Sequence, residues 1–143
     1  MSNVAIVTGG TRGIGYAITQ ALCYEGYTVA AIYNRNVDAA RQCAAETGAS
    51  VYQFDVADYQ SCADNIAKIE DELGAVDVLI NNAGITRDGT LHKMTEQDWH
   101  DVINTNLNSC FNMCRHVVPD MRGRGYGRIV NISSINGRKG QFG

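Results

Sequence analysis

The chain has 143 residues, 45% of them hydrophobic and 19% charged, with a formal net charge of −3. That length suits one domain with a buried core, and the charge balance offers no basic field for nucleic acid or an anionic membrane. No apolar run approaches the roughly 20 residues of a membrane span.

The opening Met1-Ser2-Asn3 has no basic n-region and no small-residue cleavage site, so no secretory signal is expected. The five cysteines are Cys23, Cys43, Cys62, Cys110 and Cys114. They form no C-x-x-C pair and have no further ligand at zinc spacing, which predicts reduced thiols in a cytoplasmic protein and no metal site. Arg122, Arg124 and Arg128 read as a solvated turn.

Four times the chain reads apolar strand, polar loop, amphipathic helix. Residues 4–7, Val-Ala-Ile-Val, form a continuous apolar run, as expected of a strand covered on both faces. Ile14, Ala17, Ile18, Ala21 and Leu22 then fall on one face of a helix, and Gly26 stops it. A second strand is predicted at 28–33, followed by a helix to about Thr47 with Gly48 as its stop. A third strand covers 50–55, and its helix runs over about 60–73 to Gly74. A fourth strand covers 76–81. Thr95, with Asp98 three residues on, resembles a capping box that opens a long helical stretch to about Met121. A fifth strand covers 127–133.

The first four strands begin near 4, 28, 50 and 76. That spacing fits a strand plus a crossover helix, which makes neighbouring strands parallel. The predicted fold is α/β: a Rossmann-type, doubly wound parallel sheet in the order 3-2-1-4-5.

Residues 8–15 read Thr-Gly-Gly-Thr-Arg-Gly-Ile-Gly, between the first strand and its helix. Gly9, Gly13 and Gly15 give G-x-x-x-G-x-G. Such a loop is either a structural turn or a cradle for a pyrophosphate at a helix N-terminus. Its place after the first strand favours the cradle. Strand two ends Tyr33-Asn34-Arg35, and the first acid is Asp38. An acid at the strand end would favour NAD(H). Arg12 and Arg35 favour the 2′-phosphate of NADP(H), unless Arg35 is only a solvated loop residue.

In this strand order the crevice lies beyond the C-terminal ends of strands one and four. After Ile80 come Asn81-Asn82-Ala83-Gly84-Ile85-Thr86, small residues and amides suited to flooring a ribose, although Asn81 equally suits a strand-end cap. Strand five ends at Ser133-Ser134, where a serine is either a turn former or a hydrogen-bond donor to a substrate carbonyl.

Taken in order, Thr8-Gly9-x-x-x-Gly13-Ile14-Gly15, Asp55-Val56, Asn81-Asn82-Ala83-Gly84, Asn104-Thr105-Asn106-Leu107 and Ile132-Ser133-Ser134 resemble the motifs of the short-chain dehydrogenase/reductase family. Residues 82–88 and 131–143 resemble most the family's bacterial acetoacetyl-CoA reductases of polyhydroxybutyrate synthesis. The first stretch is shared with 3-oxoacyl-acyl carrier protein reductases of fatty acid synthesis, which stay open as an alternative. A non-catalytic dinucleotide-binding module is an alternative of another class.

The resemblance implies roles for individual residues. Gly9, Arg12, Gly13, Ile14 and Gly15, with Asn34 and Arg35, would hold the pyrophosphate and 2′-phosphate of NADP(H). Asp55 and Val56 would meet the adenine. Asn82, Ala83 and Gly84, with Ile85 and Thr86, would meet the ribose. The catalytic positions present would be Ser134, on the keto oxygen, and Asn106, which would hold a water at a helix bend. Asp88, Lys93, Gln141 and Phe142 would contact an acyl-CoA substrate, although Asp88 and Lys93 equally read as exposed loop residues.

The family's tyrosine would fall at position 147, with a lysine four further on. No tyrosine among residues 1–143 has lysine four places later. Residues 1–143 are therefore expected to be the dinucleotide-binding, N-terminal part of a single-domain reductase that is a homotetramer when complete. The sheet would be incomplete at its C-terminal side, and this part would be inactive alone.

Overall fold

A computed structural model describes residues 3–140. The elements follow in the order β1 (Val4–Thr8), α1 (Gly13–Tyr24), β2 (Thr28–Tyr33), α2 (Val37–Thr47), β3 (Ser50–Gln53), α3 (Tyr59–Leu73), β4 (Val76–Asn81), α4 (Glu96–Ile103), a π-helical turn (Asn104–Asn108), α5 (Ser109–Arg124) and β5 (Arg128–Asn131). The five strands form one parallel sheet in the order β3-β2-β1-β4-β5. Fold class and strand order agree with the sequence reading.

β1 shows why the fold has three layers. All five of its residues are buried, and alternate side chains leave on opposite faces. Val4 and Ile6 join the core built with Ile66 and Ile69 of α3 and with Met113, Val117 and Met121 of α5. Ala5 and Val7 join the second core, with Cys43 of α2 and with Ile18 and Leu22 of α1.

Helix signals were legible. Asn36, Asp58 and Thr95 cap α2, α3 and α4 by accepting from the N–H groups of Ala39, Ser61 and Asp98. Thr95 and Asp98 complete the expected capping box. Gly26 and Gly48, with φ of 84° and 76°, end α1 and α2 in the left-handed region.

Four expectations are corrected. The buried line of α1 is Gly15 and Thr19, while Ile14 is 67% exposed and Ala17 and Ala21 also face out. The helix must approach the glycine turn closely, and small residues permit that where isoleucine would not. The long helix is interrupted by the π-helical turn and continues through Pro119 to Arg124. Strands three and five are shorter than expected, at 50–53 and 128–131.

Lastly, Arg122, Arg124 and Arg128 are exposed as expected, but Arg124 is not a free turn residue: it ends α5 and its guanidinium is engaged. Its guanidinium donates to Asp77, to Asp120 and to the Val76 carbonyl, each at 2.6 Å. The β1–β4 register slips here, since Val4 faces Val76 but Ala5 faces Val78. That irregularity accompanies the buried Asp77, whose charge Arg124 compensates. Among the described residues no helix is long and apolar enough to cross a membrane. All five cysteines are free thiols, with Cys43 and Cys62 buried and the other three half-buried.

Candidate functional site

The site lies where β1, β4 and β5 end together, at the reversal of strand order. Thr8 closes β1 and is buried. Its hydroxyl oxygen accepts from the N–H groups of Asn82 and Ala83, each at 2.9 Å, and its hydrogen is directed at the Ile80 carbonyl at 3.4 Å. The Asn82 side-chain amide donates back to the carbonyls of Thr8, at 3.0 Å, and Gly9, at 3.3 Å. The glycine loop and the Asn82-Ala83-Gly84 segment are therefore built against each other.

This contact explains the glycines. Gly9 has φ of 62° and lies where a Cβ would sit 3.2 Å from the Asn82 amide nitrogen. A Cβ on Gly15 would run into the Gly9 carbonyl oxygen. Gly13, at φ of 54°, has open space in front of it, so its requirement is conformational rather than steric. Thr19 locks the turn by donating to the Gly10 carbonyl at 2.9 Å.

α1 differs from α2, α3 and α4 in having no side-chain cap. Among the described residues nothing accepts from the N–H groups of Gly13, Ile14 or Gly15. Free N–H groups at the positive end of a helix, under a loop without Cβ atoms, suit an anionic pyrophosphate. Arg12 and Arg35 are exposed, and among the described residues neither guanidinium has an ion-pair partner. Asn34 is exposed beside Arg35, its carbonyl accepting from Gln53 at 2.9 Å. Asp38 pairs with Arg41 at 4.0 Å on the exposed face of α2.

The loop after β3 carries Asp55 and Val56. The Asp55 carboxylate accepts from the Ala57 N–H at 2.9 Å, and the Val56 carbonyl accepts from the Asn112 amide at 3.0 Å. The loop after β4 is held by Asn106 in the π-helical turn. Its amide accepts from the Ile85 N–H at 2.8 Å and donates to the Ile85 carbonyl at 2.9 Å. π-Turns recur at functional positions, and Asn106 lies within this one. A Cβ on Gly84 would sit 3.5 Å from the Asn106 oxygen. Thr86 is exposed in the same loop.

At the third strand end, the Asn81 amide donates to the Asn131 side-chain oxygen at 2.9 Å, and the Ile132 N–H donates to the Asn81 carbonyl at 2.9 Å. β5 is thereby registered on β4 just before Ser134. Ser134 caps a short 3-10 turn, its hydroxyl oxygen accepting from the Asn136 N–H at 3.3 Å. Asp88 and Lys93 are exposed beyond the Ile85 loop, and next to them Arg87 pairs with Asp101 at 3.4 Å and Asp98 at 3.9 Å. Gln141 and Phe142 lie outside the described residues.

Thr8 was legible only as a motif letter, and its clamp role depends on residues more than 70 positions away. Thr19 and Asn112 carried no local signal, and Asn81 was legible as a motif or strand-end residue but not as the partner of Asn131.

A doubly wound sheet with an uncapped glycine-loop helix at its switch point defines a dinucleotide-binding protein. The family model for short chain dehydrogenase matches residues 3–143, and the chain belongs to that family. It is 59% identical over 143 residues to an acetoacetyl-CoA reductase of Shinella zoogloeoides, and 57% identical over 143 residues to one of Rhizobium meliloti. In both cases the match covers 100% of this chain and 59% of the relative. It is 41% identical over 148 residues to a 3-oxoacyl-[acyl-carrier-protein] reductase of Staphylococcus epidermidis, covering 100% of this chain and 61% of that protein. The chain thus spans about three-fifths of the length of these relatives.

Proposed function

We propose that residues 1–143 form the NADP(H)-binding domain of a reductase acting on a 3-oxoacyl thioester, with acetoacetyl-CoA giving (R)-3-hydroxybutanoyl-CoA in polyhydroxybutyrate synthesis. The observation that carries the reading is the convergence of three strand ends. The glycine loop and the Asn82-Ala83-Gly84 segment are bonded to each other where β1 and β4 end, β5 ends beside β4 three residues before Ser134, and Asn106 holds the loop after β4.

NADPH, when bound, supplies the hydride to the C3 carbonyl carbon. The free N–H groups of Gly13, Ile14 and Gly15 hold its pyrophosphate, and Arg12 and Arg35 pair with the 2′-phosphate. Asp55 and Val56 meet the adenine, and the 82–86 segment meets the ribose. Ser134 donates a hydrogen bond to the substrate's keto oxygen, where negative charge develops. Asn106 keeps the loop beside that position in place. The proton comes from a tyrosine whose pKa is lowered by a lysine, both supplied by chain beyond residue 143. Asp88, Lys93, Gln141 and Phe142 contact the acyl-CoA. The complete enzyme is a homotetramer; Trp99, Leu107 and Phe111, exposed on or beside α4 and α5, offer apolar surface for the contact.

The identities of 57–59% to acetoacetyl-CoA reductases, against 41% to the carrier-protein enzyme, favour CoA as the carrier. The test compares kcat/KM of the full-length enzyme for acetoacetyl-CoA and acetoacetyl-acyl carrier protein. A clear preference for the CoA ester is expected, and a clear preference for the carrier protein would replace this reading with the fatty-acid one.

A further inference from the structure

The peptide unit between Val56 and Ala57 is held at both of its polar ends. Its carbonyl oxygen accepts two hydrogen bonds, from the Asn112 amide of α5 at 3.0 Å and from the Cys62 thiol of α3 at 3.4 Å. Its N–H donates to the Asp55 carboxylate at 2.9 Å. A carbonyl oxygen has two acceptor sites, and here two different helices fill them. Asn112 is 6% exposed and Cys62 fully buried. Burial, with the carboxylates of Asp58 and Asp55 nearby, pushes the Cys62 thiol up to about 12, so near neutral pH it remains an S–H donor.

The peptide unit just before it, between Asp55 and Val56, carries a free donor. The Val56 N–H and the second carboxylate oxygen of Asp55 have no partner among the described residues, and Asp55 is exposed. A free donor and a free acceptor on consecutive residues suit a ligand edge carrying an acceptor next to a donor, as an aminopyrimidine ring does. Asn112 also stands on the same continuous helical run as Asn106, which holds Ile85 across the site. One helical segment therefore braces both the loop after β3 and the loop after β4.

We propose that Asn112 is a positioning residue for the adenine end of the cofactor site, acting through the Val56 carbonyl with Cys62 as its second anchor. The proposal rests on the reading of Asp55 and Val56 as adenine contacts. It separates two functions of one helix: Asn106 serves the reacting end and Asn112 the adenine end.

The experiment measures steady-state kinetics of the full-length enzyme, together with inhibition by adenosine 2′,5′-bisphosphate, which carries the adenine end and no nicotinamide. Asn112→Leu removes the donor while keeping the same branched heavy-atom skeleton. It should raise KM for NADPH and Ki for the bisphosphate in parallel, by about tenfold, while kcat at saturating NADPH stays within about twofold. Cys62→Ala should move both constants in the same direction by a smaller factor, and Cys62→Ser, which keeps a donor, should not. This second pair answers the question if Asn112→Leu does not fold. A fall in kcat with an unchanged Ki, or equal effects of Cys62→Ala and Cys62→Ser, would overturn the proposal. Asp55→Ala distinguishes the two levels. If it raises both constants while Asn112→Leu does not, the adenine reading stands and the role of Asn112 falls. If it leaves both unchanged, the adenine reading falls and the proposal falls with it.

Discussion

Thr8 and Asn82 are joined twice, once through the Thr8 hydroxyl oxygen, which accepts from the Asn82 main-chain N–H at 2.9 Å, and once through the Thr8 carbonyl, which accepts from the Asn82 side-chain amide at 3.0 Å. The same hydroxyl oxygen serves Ala83. Replacing Thr8 by valine keeps the shape and leaves two N–H groups without an acceptor. The expected loss of stability is about 1–3 kcal/mol, with weaker NADPH binding. Thr8→Ser should restore most of both. Urea unfolding and an NADPH titration of the three proteins check this; equal stability of Thr8→Val and the parent would show that the clamp contributes nothing.

The three loop glycines should fail in different ways. Gly15→Ala drives a methyl group into the Gly9 carbonyl and to 2.6 Å from the Asn82 amide nitrogen, so the loop must open and NADPH binding should be lost. Gly13→Ala meets no atom but forces a left-handed φ of 54° on alanine, a cost of about 1–2 kcal/mol. Gly9→Ala combines both penalties. Circular dichroism melts paired with NADPH fluorescence titrations give the order, and a Gly13 variant worse than Gly15→Ala would contradict the steric argument.

The proposed choice of NADPH over NADH rests on Arg12 and Arg35. A charge-assisted contact to the 2′-phosphate is worth about 1.5–3 kcal/mol, so the double variant Arg12→Ala, Arg35→Ala should erode the preference for NADPH over NADH at least about tenfold. The quantity to compare is the ratio of kcat/KM for the two cofactors. An unchanged ratio would leave the preference without its proposed source.

Arg124 and Asp77 should behave as a pair in which a partly exposed arginine compensates a buried carboxylate. Arg124→Met leaves the buried Asp77 carboxylate without its partner and should cost up to about 3 kcal/mol. Adding Asp77→Asn should recover part of the loss, since no uncompensated charge then remains. If the double variant is less stable than Arg124→Met alone in chemical denaturation, the argument fails.

Glu70 predicts a pH dependence of opposite sign to that of most carboxylates. Burial, helped by repulsion from Asp120 and opposed by Arg124, raises its carboxyl above the ordinary 4.5. One of its oxygens is buried without a hydrogen-bond partner among the described residues. The folded state therefore holds this proton more tightly than the unfolded chain. Stability is lost as pH climbs from the unfolded value through the raised folded one. Glu70→Gln should thus be more stable than the parent at neutral pH, with the advantage vanishing below about pH 4. Denaturation curves at the two pH values decide it; a gain that is larger in acid would reverse the sign and sink the assignment.

The sequence alone determined the alternation of strand and helix, the sheet order, the caps at Thr95 and Gly48, and the place of the glycine loop. Each of these rests on short-range physics: apolar period, helix-end chemistry and the chain length a crossover requires. The tertiary structure decided which face of α1 is buried, because Gly15 and Thr19 must meet a turn whose shape Asn82 sets. It decided that Arg124 is a clamp, because Asp77 lies 47 residues away at an irregular point of β4. It decided that Asn112 reaches Val56 across 56 residues. An asparagine on a helix carries no local mark of the carbonyl it will meet. The partner is fixed only when two helices pack on the same side of the sheet and a buried carbonyl between them must find its hydrogen bonds.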